Sequence, residues 1–155
     1  MAGPLEMRLA TFADVPEIVR MLADDDLGKT REDYRLPLPG CYEEAFDLIQ
    51  KDPNVELVVA VQAGQVVGTL QLIYIPSLSY QGGLRAQVES VRVEAGLRSQ
   101  GIGTKMMNWA MERSRLRGAR LLQLTTDQSR KAAHRFYERL GFKASHLGMK
   151  IKLKQ

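Results

Sequence analysis

The sequence predicts an α+β domain, a mixed sheet flanked by helices, and three observations carry that reading. Segments with helical spacing are interspersed with β-branched runs, turn residues separate them, and the second half runs strand, helix, strand, helix, strand. The chain has 155 residues, the size of one compact domain over 1–155. It is 45% hydrophobic and 26% charged, enough to bury a core. No apolar run approaches the roughly 20 residues that span a bilayer, so no membrane partner is expected. Met1–Glu6 shows no basic-then-apolar leader. Cys41 is the only cysteine, which fits a reducing, cytoplasmic setting.

Each element has its own signal. Met7–Leu9 reads as a short first strand. Thr11–Asp14 fits a capping box, and Val15, Ile18, Val19 and Leu22 then follow at helical spacing. Asp24 to Gly40 lacks periodicity and reads as a loop. Tyr42, Ala45, Phe46 and Ile49 mark a second helix, ended by Asp52-Pro53-Asn54. Glu56–Gln62 and Gln65–Ile75 are β-branched and flank Ala63-Gly64, a hairpin.

Arg85–Val93 is a further strand whose alternation changes phase. Ala86 and Val88 share one phase, Val91 and Val93 the other. One extra residue near Glu89 or Ser90 reconciles them, which is a β-bulge. Gly101–Leu116 is helical, with Ile102, Met106, Trp109 and Ala110 on one face. Leu121–Thr125 is a strand. Ala133, Phe136, Tyr137 and Leu140 mark a last helix, closed by Gly141. Phe142–Leu153 reads as one or two closing strands.

Charge is divided along the chain. Residues 1–80 hold 6 Lys and Arg against 13 Asp and Glu; residues 81–155 hold 16 against 5. A basic half suits an anionic partner and an acidic half a cationic one, but on charge alone a pair of solvated faces is the favoured reading. Aromatics are only 6%, and no basic stripe alternates with them for base stacking, so no nucleic-acid partner is expected.

The chemistry-bearing segment is Val91 to Thr104. It runs from a strand through a glycine-bearing loop into a helix. A helix start offers unpaired N–H groups and the positive end of the dipole, where phosphates bind. Gly101 and Gly103 let a pyrophosphate approach the backbone, and Arg98 adds charge. The segment is not a Walker loop, because no Gly-Lys-Ser/Thr follows, and not a dinucleotide fingerprint, because the third glycine is missing.

Arg98-Ser99-Gln100-Gly101-Ile102-Gly103 resembles the Arg/Gln-x-x-Gly-x-Gly/Ala signature of the GNAT N-acetyltransferase superfamily. Ala133 to Phe142 is similar to that family's second landmark, Ala-x-x-Phe/Leu-Tyr-Glu-x-x-Gly-Phe. The resemblance implies a central, mostly antiparallel sheet with a bulge and about four helices. It implies an acetyl-CoA-dependent N-acetyltransferase with acetyl-CoA as cosubstrate and no metal. Amides of Ser99, Gln100, Gly101, Ile102, Gly103 and Thr104, with Arg98, would hold the pyrophosphate. Backbone groups of Val91 and Val93, flanking Arg92, would pair with pantetheine like an added strand.

Tyr137 sits where the family places the acid that protonates the leaving thiolate. Glu89, beside the bulge, is either the base that deprotonates the amine or a salt-bridged strand glutamate. His134 and His146 are rival bases with no sequence argument behind them. The family often has an asparagine seven residues before the tyrosine. Arg130 stands there instead, and with Lys131 it could bind coenzyme phosphates.

In the family the acceptor side follows the first helix, here Asp24 to Tyr42, with Pro76 to Leu84. Asp24, Asp25, Asp26, Glu32 and Asp33 would draw in a cationic amine, so a small cationic acceptor is expected. A protein lysine or N-terminus as acceptor, and a non-catalytic coenzyme-binding module, are the alternatives. The resemblance leaves a homodimer open, with apolar residues of Tyr74–Tyr80 able to contribute.

Overall fold

A computed structural model describes residues 3–153. Five strands form one sheet in the order of the chain: β1 (Leu5–Leu9), β2 (Val55–Gln62), β3 (Gln65–Ile75), β4 (Arg85–Val93) and β5 (Leu121–Gln123). Neighbours are antiparallel from β1 to β4, and β5 joins β4 in parallel. Four helices cover the sheet: α1 (Val15–Ala23), α2 (Gly40–Lys51), α4 (Ile102–Leu116) and α5 (Lys131–Arg139); α3 (Ser79–Gly82) is a single turn.

The period-two pattern of β2 explains the layering. Val58 and Ala60 face one core, shared with Met106, Met107 and Ala110 of α4. Val59, between them, faces the other, shared with Val15, Ile18 and Val19 of α1 and Phe46 of α2. The hairpin turn forms at Ala63 (φ 49°) and Gly64 (φ 76°), the left-handed pair that matches strand twist. The capping box is present, with Asp14 accepting the Thr11 N–H at 2.7 Å. Gly141 (φ 96°) ends α5: the Gly141 N–H reaches the Glu138 carbonyl at 3.0 Å and the Phe142 N–H the Tyr137 carbonyl at 3.1 Å.

Two expectations are corrected. β5 stops at Gln123 rather than Thr125, because it pairs with β4 only over three residues and then leaves it. Phe142–Leu153 forms no strand among the described residues. Strand pattern alone does not make a strand; a ladder needs an edge to pair with, and this segment meets none within the chain.

A polar network pins β2 to the end of α4. The buried Glu56 carboxylate accepts from Arg113 at 2.7 and 3.0 Å and from the Tyr74 hydroxyl at 3.1 Å. The Arg117 guanidinium lies 4.3 Å from the Tyr74 ring centroid. Burial pushes the Glu56 pKa up, but hydrogen bonds and charge from Arg113, Tyr74 and Arg117 outweigh it and leave the pKa lowered. Burial and Glu56 push the Tyr74 hydroxyl up to about 12.

A carboxylate with a lowered folded pKa stabilises the fold above its unfolded value, and that contribution disappears as pH falls through the folded value. Thermal melts should therefore show the wild type losing stability faster than Glu56→Gln once the pH drops below 4.5. At pH 7 the same variant should be less stable by about 3 kcal/mol, because two guanidinium groups lose their buried partner.

Candidate active site

The expected bulge is present, and it opens the sheet. Thr69 pairs with Arg92 and Gln71 with Glu89, so two steps on β3 match three on β4. The extra residue lies at Ser90–Val91, and Ser90 has φ 54°. The bulge restores one phase: Ala86 and Val88 belong to the same core that Val91 and Val93 pack against. On its other side β4 pairs with β5 only over Arg85–Gln87. Beyond Gln87 β4 has no strand on that side among the described residues, and this unpaired edge on the α5 side is the candidate cleft.

The loop after β4 closes one end of that cleft. Glu94 is ion-paired with Arg20 of α1, and its N–H donates to the Val67 carbonyl at 2.9 Å. Ser99 (φ 64°) and Gly101 (φ 81°) turn the chain into α4, and Ser99, Gln100, Gly101 and Thr104 are exposed there. Ile102 is buried and anchors the turn. A Cβ on Gly103 would lie 3.3 Å from Phe136 Cζ, so this glycine lets α4 approach α5. The Arg98 guanidinium turns back, donating to the Val93 carbonyl at 3.3 Å and lying 3.9 Å from Asp24. The start of the 15-residue helix thus presents exposed amides on a fixed turn, a fitting cradle for a pyrophosphate.

Tyr137 lies across the cleft on α5. Its ring packs edge-on against Phe136 at 5.1 Å and Phe142 at 5.8 Å. Burial raises its pKa, and the charges of Arg130 and Arg92 pull only partly against that, so it remains protonated at neutral pH. Glu89 is half-buried and accepts from Gln87 Nε2, while Gln87 Oε1 accepts from Gln123 Nε2 at 2.8 Å. This amide chain links β5, β4 and the bulge. His134 Nε2 sits 2.8 Å from the Asp127 carbonyl, and His146 Nδ1 sits 2.7 Å from Ser145 Oγ. Lys131 begins α5 on the exposed side.

The opposite wall holds a grouping that local sequence did not reveal. Arg92 turns to the α1 side of the sheet, where its guanidinium is 3.2 Å from Asp25. The Asp25 carboxylate also accepts the Gly28 N–H. A Cβ on Gly28 would fall 1.9 Å from the Leu22 carbonyl oxygen, which is why the loop needs glycine there. Burial by itself would raise the Asp25 pKa; the Gly28 N–H and the charges of Arg92, Arg130 and Arg31 outweigh it. Burial lowers the Arg92 pKa, with Asp25 opposing and Arg130 and Arg31 adding to it. Asp25 thus pairs with Arg92 and also feels the charges of Arg31 and Arg130, and the charges of Arg92 and Arg130 act on Tyr137. Asp25 Oδ2 and Arg92 Nε are buried without a hydrogen-bond partner among the described residues.

The acids expected to attract a cation are already engaged. Asp24 faces Arg98 at 3.9 Å, Asp25 faces Arg92 at 3.2 Å and Asp26 faces Lys29 at 3.7 Å. Between α1, α2 and the sheet lies an apolar cavity of about 140 Å³ that reaches Gln71 and Ser90 at the bulge.

A splayed strand pair, a bulge and a phosphate-receptive helix start define an acyl-coenzyme A transferase domain. The chain belongs to the acetyltransferase (GNAT) family, which matches residues 19–142, and it is an acyltransferase. Family members use acetyl-CoA as acetyl donor, and the loop Arg98–Thr104 has the chemistry to hold its phosphates. The chain is 33% identical to the aminoalkylphosphonate N-acetyltransferase of Salmonella typhimurium over 141 residues, 91% of this chain and 86% of that one.

Among solved structures, it is similar to one titled a transcriptional regulator from Bacillus halodurans C-125. Identity is 50% and the TM-score 0.94, covering 97% of this chain and all (100%) of that one. The glucosamine-6-phosphate N-acetyltransferase of Arabidopsis thaliana shares the fold, at 16% identity and a TM-score of 0.78, over 97% and 99% of the two chains. Among the described residues no helix is long and apolar enough to cross a membrane.

The turn at Gly101 offers a direct check. Replacing it with valine puts a β-branched residue at φ 81°, which costs about 1–2 kcal/mol and crowds the cradle. Calorimetry should show acetyl-CoA binding to Gly101→Val weakened about tenfold or more, with the melting temperature lowered by only about 2–8 °C, so that the variant still folds at 25 °C.

Proposed function

We infer that the protein transfers acetyl from acetyl-CoA to the primary amine of a small molecule that also carries an anionic group, such as a phosphonate. The observation that carries this reading is the ion pair of Arg92 with Asp25 at 3.2 Å at the end of α1, with the charges of Arg31 and Arg130 also acting on it. One carboxylate does not neutralise three guanidiniums, so the wall keeps a positive excess suited to an oxyanion. The name of the Salmonella relative, an aminoalkylphosphonate acetyltransferase, supports it independently. A small cationic acceptor, the expectation from Asp24, Asp25, Asp26, Glu32 and Asp33, draws less support from Asp25, which is paired with Arg92.

In this reading the amine nitrogen attacks the thioester carbonyl carbon, the C–N bond forms and the C–S bond breaks. Glu89 takes the amine proton, directly or through water, and Tyr137 gives its proton to the departing thiolate. A backbone N–H at the bulge stabilises the developing oxyanion. Amides of Ser99–Thr104 with Arg98 bind the pyrophosphate, backbone of Val91 and Val93 pairs with pantetheine, and Arg130 and Lys131 flank it. The apolar cavity reaching Ser90 takes hydrocarbon of the acceptor. The setting is cytoplasmic, where acetyl-CoA is made available.

Thiol release from acetyl-CoA with a panel of amines tests this. An aminoalkylphosphonate should be turned over with a KM at least tenfold below that of the alkylamine of equal length. Arg31→Ala should raise the first KM about tenfold and leave the second unchanged, since charged hydrogen bonds are worth about 1.5–3 kcal/mol. Equal KM values for the two amines in the wild type would refute the anionic-group reading. Tyr137→Phe should lower kcat about 100-fold or more without changing acetyl-CoA affinity, and any fall of wild-type kcat from Tyr137 ionisation should come at higher pH than for an unperturbed tyrosine.

A second reading follows from the Bacillus halodurans relative, whose title names a transcriptional regulator. DNA binding that weakens steeply with salt at micromolar affinity would favour it.

A further inference from the structure

Glu89 is the last β4 residue in register before the bulge, and the ladder holds it on one side only. Its partner on β3 is Gln71, but β5 pairs with β4 no further than Gln87. A glutamate side chain has three torsions to fix, and proton transfer tolerates little error in position. A displacement of about 1 Å can cost about a hundredfold in rate.

Two glutamine side chains supply what the ladder does not. Gln87 and Glu89 are two apart on the strand, so they share the face opposite Ala86 and Val88. Gln123, the last residue of β5, is the register partner of Gln87. Gln123 Nε2 donates to Gln87 Oε1 at 2.8 Å, and Gln87 Nε2 donates to Glu89 Oε1. All three side chains are half-buried. A carboxylate only accepts, whereas an amide has a donor end and an acceptor end. Glu89 therefore dictates which way Gln87 turns, and Gln87 which way Gln123 turns, so the chain has one polarity. Hydrogen bonds in such a series strengthen one another. Among the described residues Glu89 makes this bond through Oε1 and none through Oε2.

We propose that Gln87, oriented in turn by Gln123, is a positioning residue for the proton transfer: it holds Oε1 of Glu89 and leaves Oε2 to take the amine proton. As the amine N–H bond breaks, the proton lands on Oε2, and Oε1 keeps its bond from Gln87 throughout. The relay is set before the step and needs no rearrangement during it. It also explains the length of β5, since three paired residues suffice to bring Gln123 opposite Gln87. The inference rests on Glu89 as the base and is independent of the acceptor's anionic group.

Kinetics and side-chain amide NMR test it together. Thiol release is followed with acetyl-CoA and whichever of the aminoalkylphosphonate and the alkylamine is turned over faster. Gln87→Leu should lower kcat about tenfold or more. The KM of the amine and the calorimetric affinity for acetyl-CoA should stay within about twofold, because ground-state binding is untouched. Gln123→Leu should lower kcat less, and should add nothing in a Gln87→Leu background, since it acts only through Gln87. In the protein without substrates, Glu89→Ala should move the side-chain amide resonances of Gln87 and also of Gln123, which has no hydrogen bond to Glu89 among the described residues. Glu89→Gln separates the two readings. If it keeps wild-type kcat, Glu89 is not the base, and the inference falls with that role. If it loses about a hundredfold or more while Gln87→Leu keeps wild-type kcat, Glu89 stands as base and only the relay is overturned. Losses that add in the double glutamine variant overturn it as well, as do Gln123 resonances that ignore Glu89→Ala.

Discussion

One extra residue in β4 organises the molecule around it. Without Ser90 in the left-handed region, alternation would send Val91 and Val93 to the opposite face from Ala86 and Val88. The core beneath α4 and α5 would lose two apolar side chains, and Arg92 would point into it. With the bulge, both pairs of aliphatic residues pack on one core and Arg92 turns to the α1 side, toward Asp25. The strand also bends there, beyond the three residues over which it pairs with β5. A packing requirement and an open cleft thus have one cause.

The two walls of that cleft differ in character because two layers of helix supply them. On the α4 and α5 side lie an exposed helix start and a half-buried tyrosine that stays protonated at neutral pH. On the α1 side, a loop tightened at Gly28 presents Asp25 to Arg92, with the charges of Arg31 and Arg130 close enough to shift both. Each cation raises the cost of burying the next, and Asp25 offsets only part of it. The excess is tolerable because Arg31 and Arg130 are exposed to water and only Arg92 is desolvated.

The sheet's two ends are held differently. Toward the far end of β2 and β3, Glu56 ties both strands to α4 through Arg113, Tyr74 and Arg117, a network closed within one chain. Toward the cleft, β5 is short and its outer edge is bare, while the tail beyond α5 keeps its apolar face in water. The first arrangement saturates its hydrogen bonds internally, and the second leaves hydrogen-bonding groups and hydrocarbon exposed among the described residues.

Residues 98–103 and 133–142 identified the family and its cofactor loop because their chemistry is local: glycines at a helix start, and a tyrosine at fixed spacing before a glycine stop. The bulge was also legible, since a change of phase within one strand is visible in its own alternation. Local sequence could not show that Asp25 meets Arg92, because the two come together only when β4 passes under the end of α1. That contact engages one of the acids after α1, Asp25, with the protein's own Arg92. The tail was misread for a related reason. Alternation tells which side chains share a face, but a strand exists only when another strand accepts its hydrogen bonds, and that partner is decided by tertiary and quaternary geometry.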